Sequence, residues 1–268
     1  MISLSTGTVC DAKCPYCDLD IFDKAIAAGK DLIETTERFI GELNAVYSEF
    51  TVRITGGEPG LVKGLPEAID HMNQHPLIRK IKIYTKGDVF DVVGRELLQP
   101  KSVLYEHLIH DVVDGQFVRY DGGFVPHDIA ELIEHVETRR KQYNYRCVMV
   151  DTSTIPHELK KLLKEIDIKL YPQINRNKYR TGPPYNLSDN RLCYFSKRYY
   201  VYDVAHKIFL HCCEMKDPAY GYRSDSIINF LQSQSDDMYP QCYSCNKMGT
   251  FKQYKRHECA GRSERSKG

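Results

Sequence analysis

The chain has 268 residues, 42% hydrophobic and 27% charged, with a formal net charge of +1; these are the proportions of a globular chain with room for one large core and a smaller second unit. No apolar run approaches the ~18 residues of a membrane span. A strand-like segment and a cysteine loop begin at once, so no signal peptide and a cytoplasmic setting are expected, and ten cysteines in such a setting argue for metal ligation over disulfides.

The near-zero net charge hides an asymmetry. Residues 171–202 carry Arg176, Lys178, Arg180, Arg191, Lys197 and Arg198 against Asp189 alone. Residues 246–268 carry seven Lys or Arg against Glu258 and Glu264. The first stretch holds seven tyrosines and the second holds Tyr254, just after Tyr243, and the rest of the chain is acidic by difference.

In chain order, residues 2–5 read as a first strand. It runs into Cys10-Asp11-Ala12-Lys13-Cys14-Pro15-Tyr16-Cys17, a C-x3-C-x2-C run. Residues 32–47 predict a helix with an apolar stripe of Leu32, Ile33, Phe39, Ile40, Leu43 and Val46. Residues 51–54 are a second strand ending in Gly56-Gly57-Glu58-Pro59, and Pro66 suits the first turn of a following helix. Residues 81–84 are strand three, 92–98 a short helix stopped by Pro100, and 103–109 strand four. A polar stretch with Asp114-Gly115 and Asp121-Gly122-Gly123 reads as hairpin-like. A helix over 129–143 has Asp128 as N-cap. Residues 145–150 are strand five, a helix over 156–166 takes Ser153 or Thr154 as cap, and 168–171 are strand six.

Alternating strands and helices predict a parallel α/β sheet, and six repeats suit a partial barrel or an open sheet. Right-handed crossovers place every strand's C-terminal end on one rim. That rim carries the cysteine loop, the GGEP turn and Thr85-Lys86-Gly87. The pattern changes after residues 176–190: residues 199–203 and 207–212 read as a hairpin, 227–232 as a short helix, 240–245 as a loop, and the tail from 261 as disordered.

Three thiolates suit either a zinc site with a distant fourth ligand or an iron–sulfur cluster with one iron left open, since closed clusters take four cysteines. Two glycines let backbone approach a ligand closely. The C-x3-C-x2-C run after strand one, with Tyr16 before its last cysteine, together with GGEP after strand two, resembles the radical S-adenosylmethionine (radical SAM) superfamily over about residues 1–172.

The resemblance implies a partial (β/α)6 TIM-like barrel over residues 1–175. It implies that Cys10, Cys14 and Cys17 bind a [4Fe-4S] cluster and that SAM takes the open iron. Reductive cleavage of SAM would give a 5′-deoxyadenosyl radical that removes a substrate hydrogen. Gly56 and Gly57 would meet the methionine amino group, Glu58 and Pro59 would fix the turn, Tyr16 would lie near the adenine and Thr85 near the ribose. Lys86 stands where the family often has Asn. A reducing partner such as flavodoxin or ferredoxin is implied.

The later cysteines read as a zinc ribbon around Cys242, Cys245, His257 and Cys259, or by resemblance as a small α+β twitch-type domain over residues 176–260. The second reading implies one auxiliary [4Fe-4S] cluster on Cys193, Cys212, Cys242 and Cys245, two clusters in all. Cys213 is the rival of Cys212, Cys259 is a spare, and Cys147 in apolar strand five is expected to be core. For acid–base chemistry the strand ends offer His110, Asp111 and Asp151, which as helix caps or turn formers would be structural.

The basic, tyrosine-rich segments favour a nucleotide or nucleic-acid base as substrate. A ribosomal peptide and a small alcohol or amino sugar are the alternatives, and a metal-stabilised nucleic-acid-binding module is the non-enzymatic one. The sequence leaves the oligomeric state open.

Overall fold

The computed structural model describes residues 1–14, 24–151, 154–172, 200–210 and 222–233. Tyr16, Cys17, Cys193, Cys212, Cys213, Cys242, Cys245 and Cys259 lie outside them, as do Ser153, the expected loop at 240–245 and the segment 261–268.

Strand β1 (Ile2–Ser5) leads through the cysteine loop to helix α1 (Gly29–Leu43), then β2 (Phe50–Thr55), a 3-10 turn (Pro59–Leu61), α2 (Leu65–Gln74) and β3 (Ile78–Thr85). Two short helices follow, α3 (Val89–Val92) and α4 (Arg95–Leu98), then β4 (Ser102–Ile109), a hairpin of β5 (Asp111–Val113) and β6 (Gln116–Val118), and α5 (Ile129–Gln142). The remainder is β7 (Tyr145–Asp151), α6 (His157–Glu165), β8 (Lys169–Pro172), β9 (Val201–Asp203), β10 (Ile208–Leu210), β11 (Tyr222–Arg223) and α7 (Ile227–Gln232).

The main sheet runs β11-β10-β9-β1-β2-β3-β4-β7-β8. From β1 to β8 its six strands are parallel and in chain order. Each crossover therefore moves the chain one strand in the same direction, and right-handed crossovers keep the helices on one face. This is the partial (β/α)6 barrel. Leu4, Ile54, Ile83 and Leu104 are in register across four strands and pack with Leu32, Phe39, Leu65, Ile69 and Met72 in one buried core. Alternation then sends Arg53, Lys82, Tyr84 and Tyr105 to the opposite, inner face.

Local chemistry explains most boundaries. Helix α1 starts at Gly29, where a Cβ would lie 1.9 Å from the Gly64 carbonyl oxygen. It ends at Leu43, earlier than the stripe predicted, because the main-chain N–H groups of Val46 and Tyr47 turn back to Leu43 O at 3.0 Å; Val46 is left 75% exposed. The expected helix over 92–98 is two turns broken at Val93–Gly94. Helix α5 is capped by Asp128, whose carboxylate accepts from the Glu131 N–H at 2.9 Å. Helix α6 is not capped by Thr154: Pro156 takes the cap position without a side-chain bond, and the Thr154 hydroxyl donates to Asp111 Oδ1 at 2.8 Å. The β5–β6 turn is Asp114-Gly115, with φ of 50° and 79°, the left-handed pair that a two-residue hairpin needs.

Beyond residue 199, β9 pairs in parallel with β1 and antiparallel with β10, so this hairpin extends the barrel sheet at its β1 edge. Phe39 of α1, Tyr202, Phe209 and Phe230 of α7 stack in one aromatic cluster with centroid spacings from 4.4 to 5.4 Å. Glu42 accepts from the Ser226 hydroxyl at 2.7 Å and the Ile228 N–H at 3.1 Å. Among the described residues, no helix is long and apolar enough to cross a membrane.

Candidate active site

The cysteine loop is tied at its base. The Thr8 N–H donates to Ala25 O at 2.8 Å and the Ala27 N–H to Thr6 O at 2.9 Å. Gly7, at φ 110°, has no space for a side chain, since a Cβ would lie 2.1 Å from Ala25 O. Cys10 and Cys14 are half-buried and in no disulfide.

The GGEP turn is pressed against this loop. The Gly57 N–H donates to Gly7 O and the Glu58 N–H to Val9 O, both at 2.9 Å. A Cβ on Gly57 would come within 1.9 Å of Val9 O, so only glycine permits the approach. On its other side the turn meets the end of β3, where a Cβ on Gly60 would lie 2.5 Å from Asp88 Cβ. The glycines thus place the turn between the cysteine loop and the β3 turn.

Glu58 is the clasp. Its side chain is buried and accepts from the Gly60 N–H at 2.8 Å, the Thr85 hydroxyl at 2.7 Å and the Lys86 N–H at 2.6 Å. Burial pushes its carboxyl up to about 7, against the pull of those three donors. The Thr85 hydroxyl also accepts from the Gly87 N–H at 2.9 Å, and Pro59 is buried at the start of the 3-10 turn.

Charged groups crowd the same rim. The Lys86 ammonium lies 2.6 Å from Asp88, 3.2 Å from Asp11 and 3.6 Å from Asp121. Burial pulls its pKa down, the bonds to Asp88 and Asp11 more than offset this, and the net shift is upward. Arg119, just past β6, donates to Asp121 at 2.7 and 3.0 Å and to the Lys86 carbonyl oxygen, and lies 3.9 Å from Glu106. Burial would raise Asp121, but the Arg119 bond and the Gly123 N–H hold it down at about 2. The Tyr145 hydroxyl donates to buried Glu106 at 2.8 Å. Cys147 is fully buried, and burial pushes its thiol up to about 12.

The acid–base candidates separate. His110 and Asp111 come together through Tyr120. The Tyr120 N–H donates to His110 Nδ1 at 2.9 Å and its hydroxyl to Asp111 Oδ2 at 3.3 Å. Burial lowers the His110 pKa. Burial and Asp111 raise that of the Tyr120 phenol, with a smaller push from Cys14. Asp151 stands apart, its carboxylate 2.6 Å from the Lys160 ammonium. Arg119, Tyr120 and Asp121 were not singled out by sequence reasoning: nothing local says that a hairpin after strand four folds back over the rim. Gly60, one residue past GGEP, was the signal available for the tight contact with β3.

The inner face of the sheet is basic and aromatic. The Arg53 guanidinium lies 4.6 Å from the centroid of Tyr84, and Tyr84 stacks on Tyr105 at 4.5 Å and 5°. Register sets Lys82 beside Arg53 and Arg146 beside Tyr105. Burial lowers the Lys82 pKa, and Lys80, Arg53, Lys169 and Arg146 all add to that shift.

Comparison with known proteins gives relatives by sequence and by fold. GTP 3′,8-cyclase of Cronobacter sakazakii is 32% identical over 87 residues, covering 32% of this chain and 26% of that enzyme. The Vibrio cholerae enzyme of the same name is 37% identical over 92 residues, again 32% and 26%. The matched stretch spans about a quarter of the length of these curated relatives. The fold superimposes on Streptococcus suis SuiB with a TM-score of 0.51 at 14% identity, covering 91% of this chain and 71% of that one. No protein-family model matches the chain. These likenesses support the radical SAM resemblance read from the cysteine run and the GGEP turn.

The resemblance implies one [4Fe-4S] cluster and SAM. The donor set fits such a group: two half-buried thiols four residues apart, on a loop tied at its base and facing the GGEP turn. Among the described residues no three His, Cys, Asp or Glu side chains form a metal-holding group; the loop's third cysteine, Cys17, lies outside them.

Proposed function

We propose that the chain is a radical SAM enzyme acting on a nucleotide. The observation that carries the reading is the Glu58 clasp, which fixes the GGEP turn against the cysteine loop and the β3 turn by three hydrogen bonds. Cys10, Cys14 and Cys17 hold the cluster. Gly56 and Gly57 offer main-chain groups to the SAM amino group, Glu58 and Pro59 keep that turn rigid, Thr85 lies toward the ribose and Tyr16 toward the adenine. When bound, the cluster supplies one electron, delivered by a partner of the flavodoxin or ferredoxin kind, that splits SAM into methionine and a 5′-deoxyadenosyl radical able to take a substrate hydrogen atom. Asp111, bonded to Tyr120 and packed beside His110, is read as the group that holds or moves a substrate proton. Asp151 does so only if Lys160 releases it.

The substrate class rests on the inner face. Arg53, Lys82, Arg146 and Lys169 supply positive charge for phosphates, and the Tyr84–Tyr105 stack supplies an aromatic surface for a base. A relative named GTP 3′,8-cyclase supports the same class. The face is the inside of a partial barrel, which suits a mononucleotide better than duplex DNA. Residues 176–260 are read as a twitch-type domain with an auxiliary [4Fe-4S] cluster on Cys193, Cys212, Cys242 and Cys245, closed by four thiolates and suited to electron transfer.

Anaerobically reconstituted protein tests both parts. About eight irons per chain are expected for two clusters, and four or fewer would remove the auxiliary one. Replacing Cys10, Cys14 and Cys17 together by Ala should abolish 5′-deoxyadenosine formation from SAM; persistence of that product would refute the assignment. GTP should bind with a salt-sensitive affinity that a neutral nucleoside lacks. Equal binding of guanosine and GTP would remove the phosphate reading.

A further inference from the structure

Four segments of the rim meet at one residue that the proposed chemistry does not use. The Lys86 ammonium faces Asp88 of its own turn at 2.6 Å, Asp11 of the cysteine loop at 3.2 Å and Asp121 beyond the hairpin at 3.6 Å. Its main-chain N–H donates to Glu58 at 2.6 Å, and its carbonyl accepts from Arg119. The side chain is 10% exposed, whereas that of Asp11 is 54% exposed. Asp88 and Asp121 are enough to hold the ammonium in place; Asp11, next to Cys10, is the partner through which it reaches the cysteine loop. An ion pair with one exposed member adds little to stability, so its consequence is position. Asn, the residue the family often has here, is shorter and uncharged and could not make this three-way contact.

We propose that Lys86 is a positioning residue. Through Asp11 it holds the segment between Cys10 and Cys14 in a fixed relation to the GGEP turn, while its main chain fixes Glu58 on the other side. The group carried by the cysteines and the ligand carried by the turn then meet in one arrangement. This rests on the reading that the cysteine loop carries a cluster and the rim takes SAM.

The test uses the full chain, reconstituted anaerobically, as wild type, Lys86→Met, Lys86→Arg, Asp11→Asn and the double variant Asp11→Asn with Lys86→Met. Three quantities are read: iron per chain, the SAM dissociation constant from the change SAM causes in the EPR signal of the reduced cluster, and the thermal midpoint. Lys86→Met and Asp11→Asn should each weaken SAM about tenfold, the scale of one lost charge-assisted contact. The double variant should be no weaker than Lys86→Met, Lys86→Arg should recover most of the affinity, and Asp11→Asn should leave iron and midpoint at wild-type values. Wild-type SAM affinity in Asp11→Asn, or losses that multiply in the double variant, would overturn the proposal. If Lys86→Met fails to fold, Asp11→Asn still decides, because Asp11 is largely exposed. A wild-type protein that takes up no iron, or whose signal ignores SAM, would remove the underlying reading and this proposal with it; loaded, SAM-responsive wild type with an unaffected Asp11→Asn removes the proposal alone.

Discussion

At the C-terminal ends of β1 to β4, charges are matched across loops: Lys86 with Asp11, Asp88 and Asp121, Arg119 with Asp121 and Glu106. Four residues before Lys86 on the inner face, about 13 Å along a strand, Lys82 has Lys80, Arg53, Lys169 and Arg146 as the charges acting on it. The rim spends its polar groups on one another and is rigid in consequence. On the inner face Lys82 and Arg53 stand side by side at mutual cost, which an anionic ligand would relieve, while Arg146 lies 3.9 Å from Asp167. The rim and the inner face thus differ in how fully their charges are already answered.

The sharpest way to break this comparison is to loosen the rim. Gly57→Ala would put a Cβ 1.9 Å from the Val9 carbonyl oxygen. The Cβ is fixed rigidly by the main chain and the oxygen is main chain, so the GGEP turn must pull away from the cysteine loop. We expect a loss of about 3 kcal/mol, at the upper end for overpacking, read from urea unfolding. Gly41→Ala is the control: it lies in α1 with nothing within 4 Å of an added Cβ, and should stabilise by about 0.5–1 kcal/mol through helix propensity and unfolded-state entropy. A neutral Gly57→Ala would show that the rim is not tightly built.

Next in size is the pH response of the clasp. Burial raises the Glu58 carboxyl from its ordinary value of 4.5 to about 7. Between these values the native state holds a proton that the unfolded chain has released, so stability falls as pH rises from about 4.5 to about 7 and is level above. A shift of this size corresponds to about 3 kcal/mol at most. Glu58→Gln lacks the titration. Its stability deficit relative to wild type should therefore be larger at pH 5 than at pH 8 in denaturant unfolding. Parallel profiles would mean that the three donors keep Glu58 ionised throughout, and the rim would then be still more fully paired than burial implies.

The alternation of strands and helices up to residue 172 was legible from sequence, and the Asp128 cap and the boundaries of α7 could be read from local chemistry. What the sequence withheld depends on pairing between distant segments. That Arg53 sits beside Lys82, or Tyr84 on Tyr105, follows from register between strands. That β9 adds to the β1 edge is likewise non-local. Val46 fitted the apolar stripe of α1 but lies past a turn set by hydrogen bonds to Leu43 O. At the site, the cysteines and GGEP were legible as motifs. Lys86 stood out only as a departure from a pattern, because its three acidic partners come from segments 75, two and 35 residues away along the chain.

The smallest expected effect is the most direct reading of the inner face. Lys82→Met keeps the side chain's length and apolar stem but removes one of the clustered charges. Because Lys82 is half-buried and screened, the gain is modest, about 0.5 kcal/mol of added stability at low salt. Raising the salt should shrink the gap between the variant and wild type, since screening already relieves the repulsion the substitution removes. GTP binding should weaken in the same variant by about fivefold, so stability and affinity move in opposite directions. That opposition separates a ligand site from an ordinary surface lysine. A less stable Lys82→Met at low salt would mean that the charge is already answered within the fold, and the inner face would then resemble the rim.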